Sequence, residues 1–295
     1  MGLILCIGDV MLDVVVRINS EINYGSDTPA KISTHGGGAA ANVASWLAYS
    51  KRAVQLVSRV GDDPAGTAVM AELDNLGVTH ANIVIKGAQT GVVAVLVDKT
   101  GERTMFPESG ANSGLNLSDL PALDNVSAVY LSGYSLLNPA STTGVVAMVN
   151  AITSAKIPII FDPASVGTMS HIGLSVVKNI LPRMDVVILN EEEAFYLTGR
   201  SDIQLALKEL HEIVPIVVIK RGSQGAMAIS HKTEFLDMAA KSTNVIDTTG
   251  AGDAFAAGFI GSWIEKSDVL AAIGSAIDLA TQCVAIIGAR PPVNP

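Results

Sequence analysis

Asp247-Thr248-Thr249-Gly250-Ala251-Gly252-Asp253-Ala254-Phe255 opens a helical pattern that extends to about Trp263 or Ile264. Gly250 and Gly252 leave the backbone N–H groups at the start of this helix unblocked by side chains. The first-turn amides of a helix have no partner within the helix, and the helix dipole is positive at this end. The segment therefore predicts a binding site for an anion such as a phosphate group.

Asp253 lies beside this predicted anion site. A carboxylate cannot bind phosphate, but it can accept a proton from an attacking hydroxyl group. The amides of Gly250, Ala251 and Gly252 would then stabilise charge on a transferred phosphoryl group. A short Gly-x-Gly-Asp string is also compatible with an ordinary helix start, so the interpretation depends on the rest of the chain.

The composition favours a single α/β domain over residues 1–295. Of the 295 residues, 49% are hydrophobic and 16% charged, which suits a buried core and argues against disorder. The net charge of -9 argues against a nucleic-acid partner. No apolar run is long enough to span a membrane, and no signal peptide is evident. Cys6 and Cys283 lie in apolar runs, as expected of reduced core thiols, so a cytoplasmic location is predicted.

Strand-like and helix-like segments alternate along most of the chain. The strand-like runs, rich in Val, Ile and Leu, are Leu3–Ile7, Val54–Ser58, Ala128–Ser132, Ile157–Phe161, Asp185–Leu189 and Ile216–Lys220. The helical patterns between them are Ala40–Tyr49, Ala65–Leu76, Thr142–Ala155 and Gln204–Ile213. Strands apolar on both faces indicate a covered, mostly parallel sheet, and the alternation predicts a three-layer α/β/α fold.

Two stretches, about 13–34 and 90–107, interrupt this alternation. The first contains short β-like pieces, and the second is typical of a β-hairpin with its turn at Thr100-Gly101. We expect them to form a small sheet that projects from the domain as a lid over a site. The alternative is that they are ordinary edge strands of the main sheet. A further hairpin is predicted at Ala226–Ser230 and Glu234–Met238.

The segment Asp247–Phe255 resembles the signature of the ribokinase-like (PfkB-type) carbohydrate kinases. The resemblance covers nearly the whole chain. It implies that Asp253 is the catalytic base, that the Gly250–Gly252 amides form the anion hole, and that ATP is the phosphate donor. The implied substrate-binding residues are Asp13, Gly37, Gly38, Asn42 and Asn112.

Gly36-Gly37-Gly38 also fits part of a dinucleotide-binding pattern, which should directly follow the first strand. Here it begins about thirty residues beyond the first strand, which disfavours a bound NAD.

Two further strand ends match nucleotide-binding motifs of the family. Asn190 and Glu193 match its N-x-x-E motif, which implies that Glu193 acts on Mg²⁺ through water. The same residues have the spacing of a helix capping box, and the two interpretations are compatible. Lys220, Gly222 and Gly225 resemble the nucleotide loop of the family, although a simple glycine turn explains them equally well.

The resemblance also implies a K⁺ ion beside the anion hole. Its ligands would come from positions Asp247, Thr249, Cys283, Ile286 and Gly288, mostly through backbone carbonyl groups. The cofactors expected are therefore ATP, Mg²⁺ and K⁺.

The phosphate acceptor is less well specified. Met11 and Ser132-Gly133-Tyr134 differ from what ribokinases proper carry at matching positions, which disfavours D-ribose. A hexose, a sugar acid or a nucleoside stays open, with its hydroxymethyl group as the acceptor. Tyr24 and Phe106 are the candidates for stacking on a nucleobase, and Arg103 for binding an acidic group.

Two other functions stay open beside a sugar kinase. One is a nucleoside kinase of the adenosine or pseudouridine type. The other is a catalytically silent ligand sensor, which the intact base and anion hole disfavour. Exposed edges of the predicted lid suggest a homodimer that pairs through it.

Overall fold

The computed structural model describes residues 2–293, which form 15 strands and ten helices. The strands are β1 Leu3–Ile7, β2 Met11–Arg17, β3 Lys31–Gly37, β4 Val54–Val57, β5 Arg59–Gly61, β6 Thr79–His80, β7 Ile83–Ile85, β8 Gly91–Val97, β9 Arg103–Glu108, β10 Val126–Ser132, β11 Ile159–Asp162, β12 Val186–Asn190, β13 Ile216–Lys220, β14 Ala226–Ser230 and β15 Thr233–Met238. The helices are α1 Ala39–Tyr49, α2 Pro64–Asn75, α3 Gly133–Leu136, α4 Thr142–Ser154, α5 Val166–Ile172, α6 Leu174–Ile180, α7 Glu191–Thr198, α8 Ile203–His211, α9 Ala251–Lys266 and α10 Val269–Val284.

A nine-stranded sheet forms the centre of the domain, in the order β15-β14-β13-β12-β11-β10-β1-β4-β6. Each neighbouring pair from β6 to β13 in this order is parallel. Strand β14 pairs antiparallel with β13, and β15 pairs antiparallel with β14. Side chains alternate between two apolar clusters: Ile4 and Cys6 of β1 pack into one, and Leu5 and Ile7 into the other. Helices α1, α9 and α10 contribute to the first cluster, and α4 and α8 to the second. The predicted three-layer α/β/α fold is confirmed.

A smaller four-stranded sheet stands apart, in the order β3-β2-β8-β9. Strand β2 pairs antiparallel with β3 and parallel with β8, and β8 and β9 form the expected hairpin. The predicted small sheet is therefore present, and the alternative of edge strands in the main sheet is excluded. Gly36 and Gly37 are the last residues of β3 rather than part of a loop, and Gly38 is the N-cap of α1.

Helix α10 is the largest element that the sequence patterns did not mark. It packs against α9 at Gly258, where a Cβ atom would lie 2.5 Å from the carbonyl oxygen of Ser275. This close approach fixes α10 against the middle of α9. Among the described residues, no helix combines the length and the apolar character needed to cross a bilayer.

Candidate active site

Polar side chains collect at the carboxyl ends of the central parallel strands. Asp9 follows β1, Ser132 ends β10, Asp162 ends β11, Asn190 ends β12 and Lys220 ends β13. Ser132 donates a hydrogen bond of 2.9 Å to Asp9, and Lys220 donates one of 2.8 Å to Asp162. Ligands of open α/β sheets bind at this edge. These two contacts join the ends of neighbouring or nearby strands at one edge of the sheet.

Asp253 lies in the first turn of α9, next to the unblocked amides. Gly250 is the N-cap with φ 75°, and a Cβ atom there would lie 2.6 Å from Ala289, so a glycine is required. Asn42 Nδ2 donates a 2.8 Å hydrogen bond to Asp253 Oδ2. Burial raises the pKa of Asp253 to about 7, and nearby Asp162 adds to the rise, although the Asn42 hydrogen bond and Lys220 oppose it.

Arg290 orients Asn42. Its Nη2 donates to the carbonyl oxygen of Gly37 at 2.8 Å, its Nε donates to Asn42 Oδ1 at 3.2 Å, and Nη1 pairs with Glu72 at 3.2 Å. Because the amide oxygen of Asn42 accepts from Arg290, its nitrogen is directed at Asp253. Arg290 is 6% exposed. Sequence reasoning missed this residue, because an arginine before Pro291-Pro292 carries no local motif.

Asp13 and Gly37 meet, as expected of two residues predicted to bind one substrate. A Cβ atom on Gly37 would lie 2.2 Å from Asp13 Oδ1, so the carboxylate rests against the glycine backbone. Gly38 has φ 91° and its Cβ would lie 2.6 Å from the carbonyl oxygen of Asp9, which keeps it close to the strand end. Burial raises the pKa of Asp13 to about 6, and the positive charge of Arg290 opposes the rise.

Asn112 has mainly backbone partners. Its Nδ2 donates to the carbonyl oxygen of Val10 at 2.8 Å, its Oδ1 accepts from the N–H of Val10 at 3.1 Å, and it is 6% exposed. Nδ2 also lies 3.2 Å from the sulfur of Met11. The side chain therefore fixes the connection between β1 and β2, and its contact with a substrate stays a prediction.

Asn190 and Glu193 form the predicted capping box at the start of α7. Asn190 Oδ1 accepts from the N–H of Glu193 at 2.8 Å, and Glu193 Oε2 accepts from the N–H of Asn190 at 2.8 Å. Glu193 Oε1 also accepts from Asn190 Nδ2 at 2.7 Å. Burial raises the pKa of Glu193 to about 7, with a contribution from Asp162, while Lys220 lowers it.

Lys220 connects the strand ends with the anion site. A Cβ atom on Gly252 would lie 3.3 Å from Lys220 Nζ, so the ammonium group adjoins the first turn of α9. Burial acts to lower the pKa of Lys220, but the charges of Asp162 and Glu193 outweigh it, so the pKa is raised and the group is cationic. Sequence reasoning missed Asp162, because a single acidic residue after the apolar run Ile157–Phe161 forms no local motif.

The predicted nucleotide loop forms a single 3-10 turn after β13. The turn covers Gly222–Gln224, and Gly222 (φ 54°) and Gly225 (φ 93°) adopt left-handed backbone conformations. A Cβ atom on Gly225 would lie 2.0 Å from the carbonyl oxygen of Met238. A glycine is therefore required at Gly225, because the end of β15 approaches it closely, whereas residues 222–224 are exposed.

The residues where β12 ends and α7 begins fit a magnesium ion that arrives with a nucleotide. Both carboxylate oxygens of Glu193 accept hydrogen bonds from Asn190, which suits contact with Mg²⁺ through water rather than direct ligation. In residues 2–293 no three Asp, Glu, His or Cys side chains converge as a metal site would require.

The residues predicted to bind K⁺ do lie together. Asp247 Oδ1 accepts from the N–H and the hydroxyl of Thr249, Oδ2 accepts from the N–H of Gly288, and the thiol of Cys283 donates to the carbonyl oxygen of Thr249. However, Arg103 of the small sheet donates to both Asp247 and Thr249. A guanidinium group thus lies against the carboxylate, and in this conformation the residues do not fit a K⁺ ion bound through Asp247.

A cavity of about 680 Å³ lies between one face of the small sheet and two loops, one before α9 and one after α10. Its lining residues are Asp13, Val15, Arg17, Lys31, Ile32, Ser33, His35, Val95, Val97, Arg103, Met105, Asp247, Thr249, Ile287, Gly288 and Ala289. Asp253 is not one of them, but Ala289 packs against Gly250 at the start of α9. Tyr24 and Phe106, the two predicted stacking residues, are 90% and 58% exposed and do not line the cavity.

A helix start with open amides, an adjoining carboxylate and a cavity under a small sheet are the features expected of an α/β phosphotransferase that acts on an alcohol group. A family model described as "pfkB family carbohydrate kinase" matches residues 1–295. The chain therefore belongs to the PfkB family of carbohydrate kinases, as the sequence motifs predicted.

Named relatives agree with this assignment. The chain is 28% identical over 299 residues to an ATP-dependent ribose-1-phosphate kinase of Halopiger xanaduensis, covering 97% of this chain and 92% of the relative. It is 31% identical over 234 residues to a fructokinase of Escherichia coli, covering 76% and 75% of the two chains. The fold matches the adenosine kinase structure from Sinorhizobium meliloti with a TM-score of 0.88, at 21% identity and 98% and 96% coverage. Sugar and nucleoside kinases are thus its relatives, and the exact acceptor is a separate question.

Proposed function

We propose that Asp253 accepts the proton of a hydroxymethyl group as that group attacks the γ-phosphate of ATP. The single observation that carries this role is the position of the carboxylate in the first turn of α9, held by Asn42, with a pKa raised to about 7. A general base works best when its pKa lies near the working pH. The amides of Gly250, Ala251 and Gly252 offset the charge that develops on the phosphoryl group.

The nucleotide binds at the ends of β12 and β13. Asn190 and Lys220 end these strands, Gly222 and Gly225 follow β13, and the Lys220 ammonium group, on a side chain 17% exposed, adjoins Gly252. Glu193 would contact, through water, the Mg²⁺ ion that would arrive with ATP and offset charge on its phosphates. The family resemblance implies a requirement for K⁺, but the guanidinium group of Arg103 against Asp247 argues against such a requirement in this conformation.

The acceptor binds in the cavity under the small sheet, between Asp13 and the loop at 287–289. Asp13, the Gly37 and Gly38 backbone, Asn42 and Asn112 are the residues proposed to contact or position it. Among the described residues that line the cavity there is no Phe, Tyr or Trp to stack on a nucleobase. The cavity thus favours a sugar-like acceptor over a nucleoside, in keeping with relatives named ribose-1-phosphate kinase and fructokinase.

The small sheet acts as a lid, and its closure excludes water from the transfer step. Arg103 supports this role because it joins the small sheet to the loop before α9. We also propose that the chain forms a homodimer through this sheet. The two free cysteines, both buried, agree with the predicted cytoplasmic location.

Replacing Asp253 by Asn tests the proposed base. We expect Asp253→Asn to lower kcat by about 10³-fold or more in an ADP-release assay, while ATP binding measured by calorimetry stays within a few-fold of the wild type. The assay uses D-ribose 1-phosphate, D-fructose, 2-keto-3-deoxygluconate, adenosine and pseudouridine as acceptors. Asp268→Asn is the matched control, because Asp268 caps the remote helix α10 and Asn caps equally well.

Retention of most activity by Asp253→Asn would remove Asp253 from the mechanism. If the wild type binds acceptors from this panel but releases no ADP with any of them, the chain is a ligand sensor and the proposed kinase function is wrong.

A further inference from the structure

Three cationic side chains lie in one row across the small sheet. The register aligns Lys31 of β3 with Arg17 of β2, Arg17 with Val97 of β8, and Val97 with Arg103 of β9. All four residues line the cavity. The row crosses the sheet at the end opposite Asp13.

Because side chains alternate along a strand, the cationic row faces the same cavity as Asp13. Asp13, Val15 and Arg17 are two residues apart along β2, so their side chains share one face of the sheet, and all three line the cavity. The face is therefore polar and acidic at one end, apolar at Val15 and Val95, and cationic at the other end.

Two of the three cations lack an anionic partner. Arg103 contacts Asp247 and Thr249. Arg17 and Lys31 are exposed and form no ion pair with any residue in 2–293. They also oppose each other directly in an antiparallel pair, a position in which like charges repel. An anion bound between them would remove this repulsion.

We propose that Arg17 and Lys31 bind an anionic group of the phosphate acceptor, either a phosphate monoester or a carboxylate. The acceptor is then a sugar phosphate or a sugar acid rather than a neutral sugar. This inference rests on the proposed function, since it concerns the same cavity. Four residues of strand separate Asp13 from Arg17, about 13 Å between backbones. A sugar held at Asp13 and extended by an anionic group spans this distance, because the long Arg and Lys side chains reach towards it.

Paired acceptors with and without the anionic group test the inference. The phosphate pair is α-D-ribose 1-phosphate and methyl α-D-ribofuranoside, and the carboxylate pair is 2-keto-3-deoxygluconate and its methyl ester. We expect kcat/KM for the anionic member of one pair to exceed that of its neutral member by about tenfold or more. The pair that shows the preference identifies the anionic group.

Charge-removing variants then locate the site. Arg17→Met and Lys31→Met should each lower kcat/KM for the anionic acceptor by about tenfold, and the double variant by more, while the neutral partner changes by less than about twofold. Lys99→Met is the control, since Lys99 is an exposed cation in the β8–β9 turn that does not line the cavity. Calorimetric titration of the acceptors without nucleotide should show the same losses in binding.

The inference is overturned if both members of each pair react equally, or if the variants lower the two members of a pair alike. Either outcome leaves the kinase function standing. Conversely, full activity of Asp253→Asn would refute the proposed base without touching the calorimetric preference for an anionic acceptor.

Discussion

Asp253 has a carboxyl group whose protonation near neutral pH follows from its surroundings. Burial and Asp162 raise its pKa to about 7, and the hydrogen bond from Asn42 acts in the opposite direction. A base must be deprotonated to accept a proton, so we expect kcat/KM to rise with pH and to level off above about pH 7.

Asn42→Ser should shift the acid limb of this profile to higher pH, because the carboxylate then loses a donor that stabilises its charge. The profile is measured from pH 5 to 9 with one acceptor at low concentration. A variant with lower activity but an unmoved acid limb would show that Asn42 does not act through the pKa of Asp253.

The same carboxyl group links stability to pH. Its pKa is 3.8 in the unfolded reference and about 7 in the folded protein, so the folded state binds more protons between these values. Stability contributed by this group is therefore present at low pH and is lost as pH rises from about 4 to 7. Asp253→Asn removes the loss, so its melting temperature should exceed that of the wild type by a few degrees at pH 8 and by little at pH 4. A constant difference at all pH values would contradict the linkage.

Some residues of the site belong to local sequence motifs, whereas others contact the site only through the tertiary fold. Asp253 and its glycines form a contiguous string at a helix start, and Asn190 with Glu193 form a local cap, so both were predictable. Arg290 and Asp162 act only through partners far along the chain, at Asn42 and Lys220. Their roles depend on tertiary contacts, and no local pattern marks them.

Strand β9 is joined to the loop before α9 by one side chain. Arg103 donates to Asp247 and Thr249, and its side chain is 24% exposed. Arg103→Met removes this connection together with the positive charge beside the Asp247 carboxylate. We expect kcat/KM to fall by about tenfold or more, since the small sheet would close less often over the cavity.

The same variant tests the K⁺ site implied by the family resemblance. With the guanidinium gone, Asp247 can accept a K⁺ ion, so KCl should raise the melting temperature and activity of Arg103→Met relative to NaCl. The wild type should respond little to the exchange. A wild type that requires K⁺, with a variant that responds no more strongly, would contradict this role of Arg103.

Regular elements were predictable where the hydrophobic pattern of the sequence fits one kind of element and has clear ends. The buried strands, the hairpin of β14 and β15 and helix α9 were all indicated within a few residues. Helix α10 was missed because its first residues follow α9 almost directly, with Ser267 and Asp268 between them. Strand β3 extends to Gly37 because it pairs along all of β2, which a glycine-rich pattern does not reveal.

At the scale of the molecule, the main sheet and its two helical layers follow from the alternation of apolar runs. The regions 13–34 and 90–107 supply a separate small sheet, as predicted, while its action as a lid stays a prediction. Which face of that sheet meets the cavity depends on the register, and therefore the cation row of Arg17, Lys31 and Arg103 became apparent only in the folded structure.

The opposite face of the small sheet makes the homodimer testable. Strand alternation places Val14, Val16, Ala94, Leu96 and Phe106 on the side away from the cavity, and Phe106 is 58% exposed. Such a face is stabilised when a second apolar surface covers it. A second copy of the chain supplies a matching surface by two-fold symmetry.

Phe106→Glu should therefore halve the mass measured by light scattering, because a buried carboxylate without a partner opposes association. Leu205→Glu is the control, since Leu205 on α8 is 52% exposed and lies on the main domain. If the wild type has the mass of one chain at all concentrations, the dimer proposal is wrong. If it is dimeric and Phe106→Glu stays dimeric, the interface lies elsewhere, and the sheet face is free to move as a lid in each subunit.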